Sequence, residues 1–60
     1  MVVPGLMHFI FTYHFLGVEN HTHAADIYAK GAEDAELRFR DYMVNAPRYE
    51  IEEIKAVEQF

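Results

Sequence analysis

The segment Met7–Leu16, MHFIFTYHFL, constrains the fold more than any other, because its residues separate by parity into two chemically different faces. Side chains alternate between the two sides of an extended strand. One side carries a thioether and four aromatic rings, on Met7, Phe9, Phe11, Tyr13 and Phe15. The other side carries His8, Ile10, Thr12, His14 and Leu16. This pattern predicts a β-strand over about 6–16 whose aromatic face is covered by the rest of the chain.

Turn and capping signals divide the remaining chain into a strand, a helix and another strand. Gly17 and Asn20 both tolerate positive φ, so the segment 17–20 is expected to form a hairpin turn. The second strand is predicted at 21–29, the helix at 32–45 and the third strand at 48–60.

The closing segment has two interpretations. Tyr49 and Ile51 alternate as in a strand, but Ile54 has changed parity, which indicates a bulge bracketed by Glu52 and Glu53. The alternative is an amphipathic helix over the same residues.

Together these elements predict a single α+β domain covering residues 1–60. Its three-stranded antiparallel sheet has ββαβ order, with the first strand central and the helix packed on one face. Residues 1–5 include Pro4 and Gly5 and are expected to form a flexible N-terminal arm.

One stripe of the predicted helix is apolar at about 100° per residue and is assigned to the sheet. It consists of Ala32, Ala35, Phe39, Tyr42, Met43 and Ala46. Leu37 and Val44 point the other way. They are either two scattered surface aliphatic residues or a small patch that contacts a second subunit or a target.

The charge balance argues against direct nucleic-acid binding. Ten acidic and five basic side chains give a net charge of −5, which repels a phosphate backbone. Such acidity either keeps a small protein soluble or suits a surface that occupies the basic DNA groove of another protein. The acids concentrate in the second half, on the helix at Glu33, Asp34, Glu36 and Asp41 and on the last strand at Glu50, Glu52, Glu53 and Glu58.

The chain has 60 residues and no cysteine, so it has a small core and no disulfide. Self-association is the commoner remedy for such a domain, and a homodimer is predicted. The segment 1–16 lacks a basic start and is shorter than the roughly 20 apolar residues that span a bilayer. We therefore expect no membrane anchor and no export, and a cytoplasmic location, which the lack of cysteine fits.

The residue inventory offers little for catalysis. The chain has no serine and no cysteine, and Thr12, Thr22 and the tyrosines lack an activating dyad. We expect neither an enzyme nor a cofactor. His21 and His23, at i,i+2, share one side of a strand, and His14 could approach across the hairpin. They are weak metal candidates, and no metal is expected.

Several short stretches match a known family with the same ββαβ order. They are Ile27-Tyr28-Ala29, Glu33-Asp34-Ala35, Tyr42 to Val44, and Tyr49-Glu50-Ile51 with Ile54 and Val57. In these the chain resembles the RNA polymerase inhibitor of short-tailed coliphages. In that family two arginines spaced i,i+2 on the last strand contact the polymerase. The matching positions here are Glu53 and Lys55, of which one is basic.

A second set of residues points to another family of similar length and charge. It comprises Tyr28-Ala29-Lys30-Gly31, Phe39, Asn45 and Glu50-Ile51. These are similar to the uracil-DNA glycosylase inhibitor of small Bacillus phages. That family acts as a dimer whose helices form an apolar pocket for the finger that the glycosylase inserts into DNA, while acids replace phosphates. The resemblance implies that Phe39 and Met43, with Tyr42, line the pocket and that Glu36 supplies an acidic contact.

Charge, aromatic content and the lack of cysteine favour the second family. We expect an acidic phage-type inhibitor of a DNA-acting enzyme in the infected bacterial host, with uracil-DNA glycosylase as the first target. RNA polymerase is the alternative target, and a non-inhibitory structural or accessory subunit is a further alternative. The predicted partner-binding residues are Glu33, Asp34, Glu36, Phe39, Asp41, Tyr42 and Met43.

Overall fold

A computed structural model describes residues 5–57 and contains three strands and one helix. The elements are β1 (Met7–Phe15), β2 (His23–Ala29), α1 (Ala32–Tyr42) and β3 (Tyr49–Val57). Both outer strands pair antiparallel with β1, in the order β2-β1-β3. The predicted α+β class, the ββαβ order and the central first strand are confirmed.

The parity of β1 determines where the core lies. Phe9, Phe11 and Tyr13 are buried on the side that faces α1. Their neighbours on β2 are small or branched: Phe11 is opposite Ala25, and Phe9 is opposite Ile27. Small residues beside the rings leave space for side chains of the helix.

The hairpin turn depends on Gly17 rather than on Asn20. Gly17 has φ +91. In the described part of the chain only glycines have positive φ, so Asn20 does not. The Val18 N–H donates to the Phe15 carbonyl at 3.0 Å and the His21 N–H to the Val18 carbonyl at 3.2 Å. These bonds extend the turn, so β2 begins two residues later than predicted.

The helix begins at Ala32 as predicted and ends at Tyr42, before the predicted end at Asn45. The Val44 N–H donates to the Asp41 carbonyl at 3.3 Å, a bond between residues three apart that tightens the last turn. The chain therefore leaves the helix ahead of Pro47.

The apolar stripe of the helix is narrower than predicted. Ala35, Phe39 and Met43 are buried, while Ala32 is exposed and the Tyr42 residue is 65% exposed. Only one row of side chains, four residues apart, reaches the sheet. The assignment of Ala32 and Tyr42 to the sheet face is therefore wrong.

The last described segment is a strand with a bulge, which confirms the first of the two interpretations. Thr12 is opposite Glu53 and the next residue, Tyr13, is opposite Ile51, so Glu52 is the extra residue. Most of the expected N-terminal arm lies outside the described residues. Glu58 and the predicted end of the third strand lie outside them as well.

The helix covers only part of the sheet. It packs over β2 and β1, and no Cα atom of α1 lies within 8 Å of one in β3. Ile54, on the helix side of β3, is consequently 38% exposed. Within residues 5–57, no helix has the length and apolar character needed to cross a bilayer.

Candidate protein-binding surface

The side of the sheet opposite the helix is a polar surface, which we call the open face. The strand registers define its members, because directly paired residues share a side. They are His8, Ile10, Thr12 and His14 on β1, Ala24, Asp26 and Tyr28 on β2, and Glu50, Glu53, Lys55 and Val57 on β3. The bulge residue Glu52 joins them through its contact with His14.

Each histidine of the open face is paired with a carboxylate on a neighbouring strand. His8 Nε2 lies 2.8 Å from Asp26 Oδ1, and His14 Nδ1 lies 2.8 Å from Glu52 Oε2. The His8 ring also stacks on Tyr28, with 4.6 Å between ring centroids and 8° between planes. These contacts fix side chains from all three strands in one layer.

Glu52 is held by a second contact from the hairpin. The Thr22 hydroxyl donates to the two carboxylate oxygens of Glu52, at 3.2 and 3.1 Å. Because Thr22 precedes β2, the Glu52 side chain must reach across β1 to meet it. The bulge turns this carboxylate inward and away from the free edge of β3.

The open face has a strongly negative charge balance. Asp26, Glu50, Glu52 and Glu53 supply four carboxylates, and Lys55 is the one lysine or arginine among its members. Glu50 and Glu53 are exposed. Two of the four carboxylates are engaged by histidines, so the exposed pair on β3 has the greatest freedom to contact a partner.

The acids of the helix are more nearly balanced. Asp34 accepts a hydrogen bond from the Lys30 backbone N–H at 3.1 Å and one from Arg38 Nε at 3.0 Å. The backbone bond, followed by the Arg38 bond, lowers the pKa of Asp34 below its ordinary value. Asp34 and Arg38, four residues apart, thus form an ion pair on the helix. Glu36 and Arg40 have the same spacing, but no ion pair between them is present among residues 5–57.

Two of the predicted partner contacts lie inside the protein. Phe39 is fully buried, with its ring stacked at 4.5 Å on Phe11, and Met43 is also buried. The small residues of β2 create the space that Phe39 fills. Phe39 and Met43 are therefore not available to line a pocket on the surface of this chain. The other predicted apolar contact, Tyr42, is exposed.

The predicted apolar patch lies on the surface. Leu37 is 62% and Val44 is 70% exposed, and Glu33 and Asp41 nearby on the helix are exposed as well. Whether Leu37 and Val44 contact a partner remains a prediction.

The histidines of the hairpin do not come together. His23 lies on the helix side, 5.5 Å from the Tyr13 ring, whereas His14 lies on the open face. The predicted approach of His14 to His23 is therefore wrong, because the two side chains project from opposite sides of the sheet. No group of three metal-ligating side chains is present in the described part of the chain.

Sequence reasoning missed most of the open face. The parity of β1 placed His8 and His14 on one side, but it did not identify their partners. Asp26 and Glu52 become visible as partners only when the register of the hairpin and the position of the bulge are known.

Comparison of the chain with protein-family models, curated proteins and solved structures gives no significant match.

Proposed function

We propose that this chain is an acidic inhibitor that binds a DNA-acting enzyme through the open face. The observation that carries the proposal is the imbalance of four carboxylates against one lysine on that face. In the described structure no other element covers it. An enzyme groove that binds DNA is rich in lysine and arginine, and a surface with clustered carboxylates is attracted to it over long distances.

The helix surface is the weaker candidate for the same role. Glu33, Asp34, Glu36 and Asp41 are accompanied by Arg38 and Arg40, and Asp34 is already engaged by Arg38. The helix and the open face are on opposite sides of the sheet, so a single groove can contact only one of them. The helix therefore has the smaller net negative charge, which favours the open face as the binding surface.

The first target is uracil-DNA glycosylase, as the sequence resemblance implies, in the cytoplasm of an infected bacterium. An apolar pocket made by Phe39 and Met43 is not part of the proposal, because both side chains are buried. Recognition rests on carboxylates that occupy the positions of phosphates, with exposed Tyr28 available to stack or to contact cations.

The test is inhibition of purified uracil-DNA glycosylase on a uracil-containing oligonucleotide, with complex formation followed on a sizing column. We expect inhibition at micromolar protein and a complex that weakens as salt is added. If neither inhibition nor a complex is observed, this target is excluded.

A matched pair of variants identifies the binding surface. Glu53→Gln removes an exposed carboxylate from the open face, and Glu33→Gln removes one from the helix. We expect Glu53→Gln to weaken inhibition by roughly three- to tenfold and Glu33→Gln to change it by less than about twofold. The reverse order would assign binding to the helix surface.

RNA polymerase is the second candidate target. Glu53 and Lys55 are exposed, and both lie on the open face of β3. The resembling family uses the equivalent positions for polymerase contact. This alternative predicts a block of promoter-dependent transcription that Lys55→Ala relieves, without inhibition of the glycosylase.

A further inference from the structure

Within residues 5–57, the third strand has a free edge. The order of the sheet is β2-β1-β3, so among the described strands β3 pairs only with β1. Backbone N–H and C=O groups that point away from β1 therefore have no strand partner in the described chain. Such an edge can accept another antiparallel strand.

The hydrogen-bond pattern shows which residues point to that edge. The Leu16 N–H donates to the Arg48 carbonyl at 3.0 Å, so Arg48 points toward β1. Alternation along an antiparallel strand then directs Tyr49 and Ile51 outward. Beyond the bulge, Glu53 is opposite Thr12, two residues from the His14 that is opposite Glu50, so Glu53 points toward β1 and Ile54 and Ala56 point outward again.

These four outward residues also share a side of the sheet. Their strand partners Phe15, Tyr13, Phe11 and Phe9 belong to the helix side. Since α1 does not extend over β3, Ile54 and Ala56 are left exposed. The free edge thus combines unpaired backbone groups with uncovered apolar side chains.

We propose that a second copy of this chain pairs antiparallel with the free edge of β3, about a twofold axis between Glu52 and Glu53. Ile51 of one copy is then opposite Ile54 of the other, and Tyr49 is opposite Ala56. Both pairs join residues whose backbone groups point outward and whose side chains lie on the helix side. The pairing therefore satisfies both alternations of the strand.

The charges of the strand fit the same register. Glu50 of one copy is opposite Lys55 of the second copy, on the open face, and the symmetry produces this pair twice. Within one chain these residues pair with His14 and Ile10 and are not neighbours. Glu50 and Lys55 therefore offer complementary charges that the single chain does not use.

The centre of the register brings acidic residues together, which opposes pairing. Glu52, however, is drawn across β1 by His14 and Thr22. Only the two copies of Glu53 remain close to the axis, and the two Glu50–Lys55 pairs offset their repulsion.

The other edge of the sheet is less suitable. On β2 the helix-side residues Ala25, Ile27 and Ala29 are already buried by α1. Pairing along β2 would therefore bury little further apolar surface, whereas pairing along β3 covers Ile54 and Ala56.

This arrangement makes a continuous six-stranded sheet with both helices on one side and both open faces on the other. It places the two open faces side by side and does not depend on the proposed function. The mass of the protein tests the pairing, and enzyme inhibition tests the function, so one can fail without the other.

Exchanging the charges of Glu50 and Lys55 tests the proposed register of the two β3 strands. The mass of each variant is measured by sedimentation at micromolar to millimolar protein. We expect the unmodified chain to reach twice its 7.0 kDa mass. Glu50→Lys and Lys55→Glu should each raise the dimer dissociation constant by about tenfold or more, and the double variant should restore it to within about threefold. Glu33→Lys, with the same charge change on the helix, should leave it unchanged.

Proline substitution tests which edge pairs. Ala56→Pro removes an outward N–H, so it should preserve the circular-dichroism spectrum of the chain and abolish the dimer. Lys55→Pro removes an inward N–H and should unfold the chain. A monomer at all concentrations, a dimer that survives Ala56→Pro, or a double variant that remains monomeric would overturn the proposal.

Discussion

The rings of Phe11 and Phe39 stack with 4.5 Å between centroids and 7° between planes, and both side chains are fully buried. This contact joins the helix to the central strand. It exists because Ala25, opposite Phe11, is too small to fill the space between sheet and helix. The most aromatic segment of the sequence is thus used for the fold itself.

Truncation of the helix ring should unfold the protein. Phe39→Ala removes a buried aromatic side chain at a cost of about 3–5 kcal/mol, which equals the few kcal/mol that a core of this size supplies. We expect the circular-dichroism spectrum of Phe39→Ala to be that of an unfolded chain. Phe39→Leu, which keeps most of the volume, should fold with a reduced melting temperature. A folded Phe39→Ala protein would show that the ring is not central to the core.

The hairpin turn provides a test of backbone strain. Gly17 has φ +91, so Gly17→Ala should cost about 1 kcal/mol and lower the melting temperature by about 4–8 °C. Gly31→Ala is the control, because Gly31 has extended backbone and no atom lies within 4 Å of an added Cβ. Equal effects of the two substitutions would contradict the role of the positive φ.

The first turn of the helix should show a pH-dependent contribution from Asp34. Its pKa is lowered by the Lys30 backbone N–H and by Arg38. Because the pKa is lowered in the folded state, Asp34 stabilises the protein when the pH is above 3.8, the ordinary pKa of an aspartate. This stabilisation is lost as the pH falls from 3.8 through the lowered pKa. Asp34→Asn should therefore lower the melting temperature at neutral pH and not in strong acid.

Glu33→Gln is the control for that measurement. It removes a neighbouring first-turn carboxylate that makes no side-chain hydrogen bond among the described residues. Its effect reports the general attraction of the helix N-terminus for negative charge. An Asp34→Asn effect that persists unchanged in strong acid would contradict the assigned cause.

The exposed helix patch should be dispensable. Because Leu37 and Val44 are mostly exposed, replacing both by alanine should change the free energy of unfolding by less than about 1 kcal/mol. Neither residue belongs to the β3 edge or to the open face, so dimer mass and glycosylase inhibition should also be unchanged. Loss of either property would assign a binding role to the helix.

The regular features of the fold followed from local patterns in the sequence. Alternation from Met7 to Leu16 predicted the central strand and its buried face, and the change of parity after Ile51 predicted the bulge. Both patterns are set by the two-residue period of a strand, which does not depend on distant parts of the chain.

The features that were missed depend on position in three dimensions. Tyr42 was expected against the sheet because helical periodicity gives the direction of a side chain but not the width of the surface beneath it. No Cα atom of α1 lies within 8 Å of one in β3, and Tyr42 is exposed. Similarly, the pairing of His14 with Glu52 depends on a register that no local pattern specifies.

The position of the binding surface is tested most directly by nuclear magnetic resonance. Isotopically labelled protein is titrated with purified uracil-DNA glycosylase while backbone amide signals are followed. We expect the largest changes at Asp26, Glu50 and Glu53 on the open face and little change around Leu37 and Val44. Changes confined to the helix surface, or no changes at saturating enzyme, would contradict binding through the open face.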